Sequence, residues 1–365
     1  MSDAHDPVQG GHEHGAPLAP LVDPEALRAY LARALPDPAL EPASPLAIER
    51  IRGGHSNETF YITRGSQRWV LRRPPRGPLL PTAHDVGREY RVIGALAPTA
   101  VPVPRPLLYC EDASVIGAPF YLMERVPGVA IRATLPPAFA ADPAALRGLS
   151  ETLVDTLADL HAVDWRAVGL EDFGKPQGYL ERQLRRWTGQ LDASRSRPLP
   201  DLDAVTVWLR DHLPESPRAT IVHGDYRLDN VMYAPVPPAR VLAIVDWEMA
   251  TIGDPLADLG YLLSFWREPG DPDFGQLGDD AWRITERPGF LTRAEIVAHY
   301  AARTGRRMDH VPFYVALAIW KLAILLEGSY QRHLAGTTDD PFFATLDAGV
   351  PMLARRALAV CQGEG

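Results

Sequence analysis

Three oxygen-bearing side chains set the chemistry open to this chain. Within Ile221-Val-His-Gly-Asp-Tyr-Arg-Leu-Asp-Asn-Val-Met-Tyr233, apolar residues flank a polar centre, His223-Gly224-Asp225, and Asn230 follows five positions after the aspartate. A second apolar run, Val241 to Val245, ends in Asp246-Trp247-Glu248. Two short β-rich segments each deliver acidic or amide oxygens at a strand end or loop, so Asp225, Asn230 and Asp246 can converge on one point. Transfer of a phosphoryl group from a triphosphate needs a carboxylate that orients and deprotonates a hydroxyl, and hard oxygen ligands for Mg²⁺.

The kinase pattern is His-Arg-Asp, with an Asn five residues after the Asp and a later metal-binding Asp. Here the spacing is kept and the middle residue is Gly224. The chain resembles the aminoglycoside phosphotransferase and choline-kinase-like family, matched at His223, Gly224, Asp225, Asn230 and Asp246. The resemblance spans roughly residues 25 to 355 and implies an α+β, two-lobed protein-kinase-like fold. A small antiparallel β-rich ATP-binding lobe is expected over 23–126, and a larger, mainly helical catalytic and substrate-binding lobe over 127–363. It further implies ATP and Mg²⁺ as cofactors. Asp225 would be the base, and Asn230 and Asp246 the metal ligands. His223 would support the loop, and Asp258, in Gly253-Asp-Pro-Leu-Ala-Asp258, would brace it.

The rest of the chain must position these groups. Leu46–Ile51, Thr59–Thr63 and Arg68–Arg72 read as three strands joined by turns. The turn between the first two, Arg52-Gly53-Gly54-His55-Ser56-Asn57-Glu58, can bring backbone N–H groups to phosphates, with Ser56 and Asn57 as side-chain donors. In kinases the third strand carries a phosphate-gripping lysine. The two lysines here, Lys175 and Lys321, lie far away in the chain, so an arginine must serve. Arg72 and Arg73 point to opposite faces. Arg72 is preferred because it shares a face with Val70, which would contact adenine. In the next helix, over 84–96, Glu89 is placed to pair with Arg72. Strand 119–126 ends at a Pro-Gly turn, and the resemblance makes Glu124 and Val126 the adenine-binding hinge.

Helix 144–161 carries leucines at helical spacing and ends at His161, read as a C-terminal cap. Asp172-Phe173-Gly174 and Asp273-Phe274-Gly275 both spell a protein-kinase metal motif. The first precedes the catalytic loop and the second lacks a strand before it, so Asp246 is the better metal residue. Tyr179–Trp187 is a basic amphipathic helix. Arg182, Arg186 and Trp187, with Glu248 beyond the metal aspartate, are the candidate substrate-facing residues. On the helix after Val311, Lys321, Glu327, Tyr330 and Arg332 are further candidates.

Composition limits the classes. The hydrophobic fraction of 46% suits a globular core. A net charge of −9 argues against general nucleic-acid binding. No apolar run is expected to reach the 18 residues of a membrane span. Residues 1–22, rich in His, Gly and Pro, read as a disordered tail, and the two cysteines suit a reducing cytoplasm. Oligomeric state leaves no trace in the sequence. The absence of a long activation segment disfavours a protein substrate and favours a small hydroxylated molecule. Trp69-Val-Leu-Arg-Arg-Pro-Pro75, Arg88-Glu-Tyr-Arg-Val92 and Ile116–Val126 are similar to the phosphotransferase domain fused to some acyl-CoA dehydrogenases. That resemblance implies a hydroxyacyl-CoA or related anionic acceptor, which the arginine helix suits. An antibiotic kinase of the aminoglycoside type and a non-catalytic nucleotide-binding protein are the alternatives.

Overall fold

The computed structural model describes residues 21–36, 44–51, 57–76, 84–272, 280–336 and 341–364. Gly53, Gly54 and Ser56 of the expected phosphate turn, and Asp273-Phe274-Gly275, lie outside them.

The amino-terminal part begins with α1 (Pro24–Ala34). Asp23 caps it by accepting from the Glu25 N–H at 2.9 Å, and Pro24 takes the first turn, where a missing N–H costs nothing. Then follow β1 (Leu46–Arg50), β2 (Glu58–Arg64), β3 (Gln67–Arg73), α2 (Val86–Leu96), β4 (Pro106–Cys110) and β5 (Phe120–Glu124). The five strands form one antiparallel sheet in the order β1-β2-β3-β5-β4.

Strand alternation sorts its side chains. Phe60, Ile62, Leu71 and Leu122 pack with Leu27 and Leu31 of α1 on one face. Val70, Tyr121 and Met123 face the other way and join Val92, Ile93 and Leu96 of α2 in the larger core. Val22, counted with the tail in the sequence reading, is buried in the smaller cluster, so the packed chain starts earlier than expected.

Beyond β5 come β6 (Val129–Ala130), α3 (Pro137–Ala140), α4 (Pro143–Ala162), α5 (Tyr179–Ser194) and α6 (Pro200–Asp211). The strands β7 (Thr220–Val222), β8 (Val231–Tyr233), β9 (Val241–Ile244) and β10 (Thr251–Gly253) follow. With β6 they form two small antiparallel sheets, β6-β8-β9 and β7-β10. The chain closes with α7 (Leu256–Phe265), α8 (Arg293–Thr304), α9 (Val311–Leu334) and α10 (Leu346–Cys361). A small antiparallel sheet set against a larger helical body is the two-lobed kinase-like fold.

One expectation needs correcting. Among the described residues α9 is long and apolar enough, by length and composition, to cross a membrane. Yet 61% of its apolar window is buried inside the protein, where it packs against α5, α6, α7 and α10. It is the central helix of the core, and its apolarity follows from being covered on most sides.

Candidate active site

The candidate catalytic loop connects β7 to β8. It is held from below by one carboxylate. Asp258, on α7 and fully buried, accepts from the backbone N–H of His223 at 2.7 Å and of Gly224 at 2.7 Å. His161 adds a contact to the same carboxylate at 3.2 Å, and its other ring nitrogen meets the Tyr300 hydroxyl at 2.7 Å. So His161 is no helix cap. It is a buried relay that links α4, α7 and α8 beneath the loop. The signal was available in the sequence: His161 continues the apolar line Leu153-Leu157 at helical spacing, and so belongs to the buried face.

Burial works against both groups. It would raise Asp258, but the hydrogen bond and charge of His161, with the loop N–H donors, hold that carboxyl below the usual range. His161 itself is lowered by its burial. In both cases the unfolded chain binds more protons than the folded one, so stability falls on acidification. The loss begins as pH drops below the ordinary histidine range, about 6.5, and continues as Asp258 takes its proton. Thermal melts between pH 8 and 5 should show this decline, with a shallower slope for His161→Gln. An identical slope in the variant would remove His161 as its source.

His223 is wholly buried. Its Nε2 lies 3.0 Å from the Val245 carbonyl, which can only accept, so Nε2 carries the proton. Its Nδ1 then accepts from the Asp225 N–H at 3.2 Å. Both nitrogens are occupied, and the ring joins the catalytic loop to the strand leading to Asp246. Gly224 has φ +86°, and a Cβ there would stand 2.7 Å from the Met249 carbonyl oxygen. Glycine at this position lets the loop press against the 246–250 turn. Gly224→Ala should cost about 1–3 kcal/mol from backbone strain alone. Melting within a degree of the parent would refute that account.

Asp225 receives Arg227 Nε at 3.1 Å on one oxygen and Asn230 Nδ2 at 2.7 Å on the other. Arg227 also pairs with Asp229 at 3.1 Å. The Asn230 amide nitrogen faces Asp225, so its Oδ1 is left as an acceptor. Asp246 follows β9 with φ +68°, a left-handed conformation that aspartate tolerates better than most residues. Its carboxylate lies 3.0 Å from Arg72 Nη2. Arg72 Nε is also 3.3 Å from Glu89, an ion-pair contact without aligned hydrogen-bond geometry. Arg72 therefore bridges the sheet, α2 and the metal-motif aspartate. Burial alone would lower its pKa, but Glu89, Tyr121 and Asp246 keep it firmly charged. Strand alternation turns Arg73 the other way, where it donates to the Ile116 carbonyl at 2.9 Å.

Glu89 is fully buried and also accepts from Tyr121 at 2.9 Å and from the Asn57 amide. This corrects the reading of Asn57 as a phosphate donor: its amide orients Glu89. Arg88, the residue before Glu89 on α2, stacks over Phe173 at 4.1 Å and donates to the carbonyls of Phe173 at 2.9 Å and Ala250 at 3.3 Å. The Asp172-Phe173-Gly174 motif is thus a clamp between α2 and the helical body. Asp172 itself is exposed and pairs with Arg91.

At the expected hinge, the Glu124 N–H is taken by the Arg105 carbonyl at 2.9 Å, and its side chain pairs with Arg105 at 3.3 Å. Among the described residues Val126 has no backbone hydrogen-bond partner, so its N–H and C=O face no competitor. The four substrate candidates separate. Arg186 lines a cleft of about 420 Å³ with Lys175, Tyr179, Gln183, Arg185 and Thr251. Arg182 also borders it, but donates to the carbonyls of Lys175 and Gln177. Trp187 is buried, its indole N–H on Gln183 at 3.1 Å, and Glu248 is half-buried in the turn after Asp246. On α9, Glu327 accepts from Ser196 at 2.6 Å, the Tyr330 hydroxyl donates to Asp347 at 2.9 Å, and Arg332 meets Ser329 at 2.9 Å. These three serve packing within the helical body.

Among the described residues no three His, Cys, Asp or Glu side chains gather closely enough to hold a metal alone. An amide oxygen and a carboxylate, Asn230 and Asp246, are nevertheless the hard donors that Mg²⁺ takes when substrate phosphates complete its shell.

Residues 47–295 match the family described as phosphotransferase enzyme family. The chain is 40% identical, over 86% of its own length, to acyl-CoA dehydrogenase family member 11 of Gallus gallus, of which it covers 40%. It thus spans about two fifths of the length of the curated relatives it matches. Among solved structures, a Ralstonia eutropha protein classed among the aminoglycoside phosphotransferases is 36% identical. It superposes with a TM-score of 0.77 over 94% of this chain and 99% of that one. Aminoglycoside phosphotransferase APH(4)-Ia, in a ternary complex with ADP and hygromycin B, shares the fold at 13% identity. Its TM-score is 0.54, over 87% of this chain and 95% of that one.

Proposed function

The chain belongs to the phosphotransferase enzyme family, and from that premise we propose that it is an ATP-dependent kinase acting on a hydroxyl of a small anionic metabolite. The observation that carries this reading is that hydrogen bonds of His223 and Asn230 with Val245 tie the Asp225–Asn230 loop to the residue before Asp246, which itself pairs with Arg72 beside Glu89. The nucleotide-binding lobe would run over 23–126 and the acceptor lobe over 127–363.

Arg227 and Asn230 fix both oxygens of Asp225, which receives the proton of the acceptor hydroxyl as that oxygen bonds to the γ-phosphorus. The β–γ bridging bond breaks and ADP leaves. Arg72, oriented by Glu89, would bind the α- and β-phosphates, and the free groups of Val126 would receive adenine. Asn230 and Asp246 would hold Mg²⁺, which neutralises phosphate charge when bound. The relatives named for acyl-CoA dehydrogenases favour an acyl-CoA-like hydroxy acid. The name of the Ralstonia protein favours an aminoglycoside, but a polycation is poorly suited to a cleft walled by Lys175, Arg185 and Arg186. The fold neighbour held with ADP supports ATP as donor.

The test is Mg²⁺-dependent ATP turnover across hydroxy acids, their CoA thioesters and aminoglycosides, beside Mg-ATP calorimetry. Turnover stimulated by the acidic acceptors, and weakened Mg-ATP binding in Asp246→Ala, are expected. Failure of Mg-ATP to bind the parent protein would sink the reading.

A further inference from the structure

The chain contains two lysines, and both touch α5: Arg182 donates to the Lys175 carbonyl, and Lys321 stands over Trp187. Lys175 lines the cleft at the start of α5. Lys321 projects from α9, with Nζ 5.5 Å from the centroid of the Trp187 ring. It is half-buried, and among the described residues it has neither an acidic partner nor a hydrogen-bond partner. A half-buried ammonium without a counter-ion is poorly compensated, and an arriving anion would relieve that.

The groups facing it are few. Arg186 and Trp187 come from α5, Asp258 from α7, and Asp225 from the catalytic loop. The two acids lie within electrostatic reach but are committed elsewhere, Asp258 to the loop N–H groups and Asp225 to Arg227 and Asn230. Burial, with the repulsion of Arg186, pushes the ammonium down to about 8. Arg185 and Arg186 in turn find no carboxylate among the described residues, and Arg186 borders both Lys321 and the cleft. Lys321 and Arg186 therefore lie near one another without a carboxylate partner among the described residues, Asp225 is within electrostatic reach of Lys321, and Arg186 borders the cleft.

We infer that Lys321, with Arg186, is the anion-recognition point of the acceptor site: it binds a carboxylate or phosphoryl group of the acceptor so that the hydroxyl reaches Asp225. The inference rests on the kinase reading above, because it needs Asp225 as the base. Trp187 lies beneath the lysine, a cation–aromatic contact that uses none of the ammonium donors in a hydrogen bond.

The scarcity of lysine makes a direct test practical. Reductive ¹³C-methylation labels Lys175, Lys321 and the chain amine, and Lys175→Arg assigns the two side-chain resonances. The labelled protein is titrated with 3-hydroxybutyrate, with its CoA thioester and with neutral 3-hydroxybutyramide. The Lys321 resonance should move saturably with at least one anion and not with the amide. A response to the free acid alone identifies a carboxylate, and a response to the thioester alone identifies the cofactor phosphates. Lys321→Met should weaken binding of the responding anion by about 10- to 100-fold, with Mg-ATP affinity kept. No response to either anion, an equal response to the amide, or parental affinity in Lys321→Met would overturn the assignment. If Mg-ATP fails to bind while Lys321 still answers to anions, the anion site stands and the kinase reading falls.

Discussion

Asp225→Asn lowers acceptor-dependent turnover by about 10²- to 10⁴-fold, the range by which a positioned general base accelerates proton transfer. The substitution keeps volume and shape, and the amide it introduces can still accept from Arg227 through its remaining oxygen. Its NH2 then faces the Asn230 NH2, so one loop hydrogen bond is lost, worth about 1 kcal/mol, and melting temperature and Mg-ATP affinity should fall far less than turnover. What is lost is an oxygen able to take a proton, held in place by Arg227 at 3.1 Å and Asn230 at 2.7 Å. Steady-state kinetics with the best acceptor and calorimetry with Mg-ATP separate these effects. A loss of only a few-fold would mean that positioning, with no base, accounts for the chemistry.

Arg72→Ala is expected to be the most damaging single change to the fold and the site together. It removes the guanidinium beside a fully buried Glu89 and leaves that carboxylate with Asn57 and Tyr121 only. Breaking a buried pair by removing one partner costs about 3–5 kcal/mol. In a chain of this size that is a fall in melting temperature on the order of 10 °C. Glu89, already raised by burial, escapes part of this penalty by taking a proton, so the deficit should shrink in acid. Arg72→Met combined with Glu89→Leu should recover much of the stability, because the isolated buried charge is gone, while nucleotide affinity stays lost. Arg72→Lys keeps the charge and should retain part of both. If Arg72→Ala melts within about 2 °C of the parent, the pair is not part of what holds α2 against β3.

The loop contacts show how a short motif becomes a rigid site. Gly224 allows close approach to Met249, His223 links the loop to the β9 exit, and Asp258 satisfies two loop N–H groups at once. Each contact joins elements that are close in the chain, 35 residues at most in the longest case. That is why the spacing of His223, Asp225, Asn230, Asp246 and Asp258 could be read directly.

Other parts followed from local periodicity. Strand alternation decided between Arg72 and Arg73, because one face of β3 meets α2 and the other meets α1. Helical periodicity likewise turned Glu89 inward. Where two periodic elements had to meet, the sequence reading erred. Asn57 lies next to a glycine-rich turn and looked like a phosphate donor, yet its partner is Glu89, 32 positions away. His161 looked like a cap because its partners, Asp258 and Tyr300, come from 97 and 139 positions along the chain. The first Asp-Phe-Gly motif was set aside as a metal site, and its use as the seat of Arg88 appeared only with the packing.

The sequence by itself determined the phosphotransferase family and the lobe pattern, because polar side chains at fixed spacing and the two periods of strand and helix are local properties. Only the tertiary structure decided which cations remain uncompensated. Arg72 meets Glu89 and Asp246, Arg182 meets backbone carbonyls, and Lys321 meets no acid among the described residues. A charge is neutralised by whatever surrounds it in space, and those neighbours come from α5, α7, α9 and a loop that the chain order keeps far apart.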